Sequence, residues 1–174
     1  MRNLLYYLSV GAVIFLLKWS YSVAGTGDLQ VLIRPVAALV SLITGAGGEY
    51  GDSGVYYEQL NIVIDKSCSG FNFLILCYGM LAVLAIPSLN GTRAKMLAVI
   101  LPLPGAWLLT VLVNSARILS AYFVHQLSGA FWEHPAIWLH QAIGAFIYLF
   151  FLMLIYAGAD FLIHKLTRGH AKSA

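Results

Sequence analysis

The sequence predicts an all-α polytopic membrane protein: a bundle of four or five transmembrane helices plus a small extracytoplasmic loop or hairpin, all within one integral membrane domain spanning 1–174. Three observations carry that expectation. The 174 residues are 60% hydrophobic and 10% charged, with a mean hydropathy of +0.82. A water-soluble domain holds about 25% charged residues, so this chain lacks the polar surface to coat itself in water. Its apolar residues gather into runs of membrane-spanning length, and its Lys and Arg sit at loop ends and in the tail. No basic stripe interleaved with aromatics is present, so the pI near 8.9 points to a membrane and not to nucleic acid.

Residues 4–24, "LLYYLSVGAVIFLLKWSYSVA", form the first apolar helix. Lys18 interrupts the run ahead of any cleavage site, which favours a retained helix over a signal peptide. Residues 29–45, "LQVLIRPVAALVSLITG", reach about 25 Å as a helix, short of a hydrocarbon core of about 30 Å. Arg34 and Pro35 weaken this segment further, so it either spans tightly or lies along the interface.

Residues 46–66, "AGGEYGDSGVYYEQLNIVIDK", are polar and glycine-rich, with β-favouring residues after the turn-like "GDSG". They read as an extramembrane loop or hairpin. A third helix covers about 68–88 and ends at Pro87. The basic loop "NGTRAK" follows; Asn90-Gly91-Thr92 matches a glycosylation sequon, but Arg93 and Lys95 mark it as cytoplasmic. A fourth helix runs from about 96 to 124 with a kink expected at Pro102 and Pro104. After the polar loop at 125–135, a fifth helix covers about 136–163, and 164–174 is a basic cytoplasmic tail.

Charge then sets orientation. Arg93 and Lys95, with Lys165, Arg168 and Lys172, mark the cytoplasmic side, leaving Glu49, Asp52, Glu58, Asp65 and Glu133 outside. If 29–45 spans, there are five crossings, residue 1 is outside, and Lys18 and Arg34 are cytoplasmic. If it is interfacial, there are four crossings and residue 1 is inside.

On this reading the outer ends of the last three helices carry Cys68, Asn114 with Arg117, and His140. A thiolate is the reactive form of cysteine, and a helix start or a nearby cation favours it. Cys68 is expected at the mouth of its helix with Ser67 as a cap. His140 is suited to take the thiol proton and return it to a leaving amine. Arg117 keeps its charge and suits an oxyanion. A permanent charge at membrane depth is expensive and by default a functional candidate. Each residue also has a bland reading: Cys68 as structural, Arg117 as snorkelling or pairing with Glu133, His140 as interfacial. Residue physics alone leaves the two readings near even. Asn72 and Asn114 each lie one turn from a candidate and are read as supporting residues, as are Ser69 and Gly70. Gly70 serves close approach of a substrate backbone or close helix packing, and Gly144 serves packing. Cys77 reads as a packing residue. Cys68 and Cys77 stand about 13 Å apart along a helix, too far for a disulfide.

In order and context, "CSGFNFL" opening one membrane helix, "NSARI" closing the next and "HQAIGAFIY" opening the last, the chain resembles the exosortase/archaeosortase family over about residues 28–155. It is similar to the short type called exosortase K and lacks several amino-terminal helices of the longer members. The resemblance implies a cysteine transpeptidase or protease of the prokaryotic inner or plasma membrane, with its active site on the extracytoplasmic side. Its substrates would be secreted proteins bearing a C-terminal motif, a transmembrane helix and a basic tail; the amine-bearing acceptor is unspecified. By motif, Cys68 is the implied nucleophile, Arg117 the transition-state stabiliser and His140 the acid/base. No cofactor and no metal is expected.

The main reading from another class is a non-catalytic membrane scaffold or small transporter. That reading calls for a polar path at mid-bilayer, whereas the strongest polar groups cluster at one interface. A metalloprotein ranks lower because no HExxH or other tight ligand pair is present. A serine-type intramembrane protease would need its serine deeper than Ser67 or Ser69.

Overall fold

The computed structural model of the chain describes residues 3–128 and 137–172. It is mostly helical, with α1 (Leu4–Val23), α2 (Gln30–Thr44), α3 (Phe71–Ser88), α4 (Thr92–Ile100), α5 (Pro102–Ser128) and α6 (Ile137–Lys172). Between α2 and α3 lies an antiparallel sheet in the order β1 (Glu49–Gly51), β2 (Gly54–Tyr57), β3 (Ile62–Ile64). Five helical stretches are long and apolar enough to cross a membrane: Leu4–Val23, Gly27–Thr44, Phe71–Ser88, Thr92–Val124 and Gln141–Lys165.

Local chemistry explains where the elements depart from the sequence reading. The expected fourth helix is two, broken at Leu101. Pro102 and Pro104 lack the N–H a continuing helix needs, but suit the first turn of a new one, where those groups have no partner. The loop at 46–66 holds three short strands. The stretch read as a basic tail is helical as far as Lys172, so α6 extends well beyond 163. Residues 125–128 of the expected polar loop instead continue α5 to Ser128, and 129–136, including Glu133 and His134, lie outside the described residues.

The chain divides into two compact units. The first comprises Met1–Ser22, Asn72–Leu109 and Phe151–Ala174. Here α1 runs antiparallel to α3: Lys95 Nζ donates to Asn3 Oδ1 near the start of α1, and Lys18 Nζ donates to Asn72 Oδ1 (2.8 Å) at the start of α3. Between these ends Gly79 admits Ile14, whose Cδ1 would lie 3.0 Å from any Cβ at that position. Phe73, Cys77, Tyr78, Ala82 and Ile86 are buried along α3, and the Tyr78 hydroxyl donates to the Val99 carbonyl (3.1 Å).

The second unit comprises Val23–Phe71 and Thr110–Phe150. In α2, Leu32, Ile33, Val36, Ala37 and Val40 are buried, the spacing of one helix face, while Val31, Arg34, Leu42 and Ile43 are exposed. The buried face meets the sheet. Tyr57 of β2 is 1% exposed; its hydroxyl donates to the Ala37 carbonyl (2.6 Å) and so accepts from Ser41 Oγ (2.9 Å). Val55, Tyr57 and Ile64 alternate with exposed Tyr56 and Val63, as strands covered on one face require. Lys66 Nζ donates to the Ala24 carbonyl (2.6 Å), so the excursion from 24 to 66 closes on itself.

Candidate functional site

The approach to Cys68 is built from β3. After Ile64 the chain turns at 65–68: the Cys68 amide donates to the Asp65 carbonyl (3.1 Å) and to Asp65 Oδ1 (3.1 Å). Ser67 Oγ donates to Asp65 Oδ1 (2.7 Å) and stands 3.8 Å from Cys68 Sγ. Gly70 then takes φ +77°, which a right-handed helix cannot continue, and α3 starts at Phe71. This corrects the expectation that Cys68 opens the helix under a Ser67 cap. Cys68 lies in the turn before the helix, Ser67 ties down Asp65, and Ser69 Oγ accepts from the Phe71 amide (3.4 Å). Both thiols are free; Cys68 is half-buried and Cys77 fully buried.

Asn114 of α5 is 0% exposed and spends both ends of its amide. Nδ2 donates to the Cys68 carbonyl, and Oδ1 accepts from the Tyr148 hydroxyl of α6 (2.6 Å). One side chain thus ties the cysteine turn to two helices. Gly70 makes room for it, because a Cβ there would stand 2.9 Å from Asn114 Cγ and 3.1 Å from Thr110 Cγ2. Of the two roles expected for Gly70, close packing is the one its surroundings display.

Arg117 lies one turn beyond Asn114. Its Nη1 donates to the Tyr148 hydroxyl (3.4 Å), and its guanidinium carbon lies 5.1 Å from the centre of that ring. Gly144 lets the guanidinium pass: a Cβ there would stand 2.5 Å from Arg117 Nε. Packing is therefore what Gly144 provides, and the group it packs against is the arginine. Cys68 and Arg117 line one cleft of about 280 Å³, with Ile118, Ala121 and Tyr122 also contributed by α5.

His140 belongs to the first turn of α6, one turn before Gly144 on the same helix face; its side chain lies outside the described residues. Asn72 is exposed, and its side-chain oxygen is taken by Lys18. Ser69 is buried at the helix entry. Among the described residues, no three His, Cys, Asp or Glu cluster as a metal site.

Tyr148 is the participant that sequence reasoning missed. It stands in an aromatic-rich apolar run, where a tyrosine by itself carries no mark of a site. Its spacing from His140 and Gly144, two turns and one turn along the same helix, was the available signal.

No protein-family model, no curated protein and no solved structure matches this chain.

Proposed function

We propose that the chain is an integral membrane cysteine transpeptidase or protease of the exosortase type, cleaving C-terminal sorting signals of secreted proteins with Cys68, Arg117 and His140. The observation that carries this reading is the shared cleft: a half-buried thiol and a permanent cation line one cavity. A buried amide and a tyrosine steady the backbone of the one and the guanidinium of the other. A residue kept only for packing needs no such apparatus.

In the proposed reaction a substrate carbonyl enters the cleft. Cys68 Sγ attacks its carbon while the thiol proton passes to His140. The oxyanion of the tetrahedral intermediate faces Arg117, whose fixed charge needs no rearrangement as negative charge develops. Collapse breaks the C–N bond, His140 protonates the departing amine, and a thioester remains on Cys68. An amine acceptor, or water, then attacks the thioester and restores the thiol. Holding the substrate's own transmembrane helix in the same bilayer supplies proximity.

The topology proposed for this enzyme has four crossings, by α1, α3, the α4–α5 pair and α6. Lys95–Asn3 and Lys18–Asn72 make α1 and α3 antiparallel neighbours, so the chain between them leaves and returns at one end of that pair. The return from Gly45 to Lys66 contains only short strands, leaving α2 no partner with which to cross and come back. Residue 1 then shares the cytoplasmic side with Lys95, and the sheet and Cys68 are extracytoplasmic.

The decisive experiment expresses the protein with a tagged substrate carrying a C-terminal motif, a transmembrane helix and a basic tail. Cys68→Ala is expected to abolish processing. A His140→Ala variant is expected to slow both processing and the appearance of a thioester on Cys68, read by mass spectrometry, because attack and amine departure both pass through His140. Processing by Cys68→Ala at the wild-type rate would overturn the proposal.

A further inference from the structure

The cleft that holds Cys68 and Arg117 has another wall, made by Leu60, Asn61, Ile62 and Val63. The last two belong to β3, and consecutive residues of a strand point to opposite faces of the sheet. Ile62 lies on the face of buried Ile64, and Val63 on the exposed face opposite Tyr56. Both nevertheless line the cleft, and what they share is the outer edge of the strand. That edge is open: β3 is last in the order β1–β2–β3, and among the described residues 62–64 make no backbone hydrogen bond outside the sheet.

From this edge we infer that the protein binds its substrate as an added strand: an extended peptide segment lies along β3 and carries its scissile carbonyl to Cys68. Three features select that occupant. An open strand edge is a row of N–H and C=O groups matched only by another extended backbone. The strand leads directly into the turn at 65–68, so a peptide following β3 runs toward the thiol. Among the described residues the lining carries the Arg117 cation and no carboxylate, which suits peptide carbonyls and segments with uncharged or acidic side chains. Asn61, held at φ +53°, ends the turn before β3 and also lines the cleft. The proposal rests on Cys68 as the nucleophile and adds the conformation of the substrate and the surface that reads it.

The test uses the wild-type protein in native membranes and a panel of six-residue peptide chloromethyl ketones with uncharged side chains. Attack by the Cys68 thiolate forms a thioether and releases chloride, read by mass spectrometry with buried Cys77 as the internal comparison. Each backbone amide of the probe is methylated in turn. In a paired strand, alternate N–H groups face the neighbour. Methylation is therefore expected to slow labelling about tenfold at every second position, the scale of one lost hydrogen bond, and to leave the intervening positions unchanged. A flat profile, with Cys68 still labelled readily by iodoacetamide, overturns strand addition and leaves the nucleophile standing; the cleft then takes a helical segment or a second copy of this chain through side chains alone. Failure of Cys68 to react even with iodoacetamide removes the nucleophile, and this inference with it.

Discussion

The side-chain amide of Asn114 donates to the backbone carbonyl of Cys68, joining the middle of α5 to the turn that carries the thiol. Asn114 is fully buried, and its other end accepts from Tyr148. Replacing it removes the donor that the Cys68 carbonyl uses and the acceptor that the Tyr148 hydroxyl uses. Asn114→Ala is expected to lower unfolding stability by about 1–3 kcal/mol and to reduce processing more than Asn72→Ala does. Denaturation in detergent and a processing assay check the two parts separately.

Gly144 and Gly70 separate an effect on chemistry from an effect on folding. Gly144→Ala meets the flexible end of Arg117, which can swing aside, so stability should shift by less than about 1 kcal/mol while processing falls at least about tenfold. Gly70→Ala meets a buried amide and also forces a Cβ into a left-handed backbone, so it should lower the amount of folded protein. If both variants lose folded protein equally, Gly144 is not tuned to the guanidinium.

Tyr148→Phe keeps the ring under Arg117 and removes only the hydroxyl. The expected result is a stability loss of about 1 kcal/mol and a several-fold drop in processing, because Asn114 Oδ1 loses its donor. Tyr148→Leu, which also removes the ring, should cost more; equal losses would assign the whole effect to the hydroxyl.

Burial raises the Tyr57 phenol above its ordinary value of 10, an effect partly offset by the hydrogen bond from Ser41. The folded state thus holds this proton more tightly than the unfolded chain does. Its contribution to stability is complete below pH 10 and falls as pH rises through the folded-state value. Unfolding midpoints measured on the alkaline side should drop more steeply for wild type than for Tyr57→Phe, which lacks both the proton and the bond to Ala37.

The four-crossing topology predicts that a reporter fused before α1 and a cysteine placed at Asn90, between α3 and α4, respond from the same side of the membrane. A cysteine in β1 should respond from the opposite side. Protection of β1 from impermeant reagents added outside would remove α2 and the sheet from the extracytoplasmic face.

Composition and periodicity were sufficient for the helical class, the five apolar stretches and the small β-rich insertion. Those depend on how much apolar surface each segment carries and on local turn formers such as the "GDSG" at 51–54, which act within a few residues. The order Cys68, Arg117, His140 was equally legible, because motifs are local. Only the folded chain decided that Cys68 precedes its helix, that Asn72 faces Lys18, that Tyr148 and Gly144 attend Arg117, and that a strand edge lines the cleft. All but the first are meetings of residues far apart in sequence. Such meetings are selected by which shapes close without voids and which buried polar atoms find partners, and neither condition leaves a periodic trace in the chain.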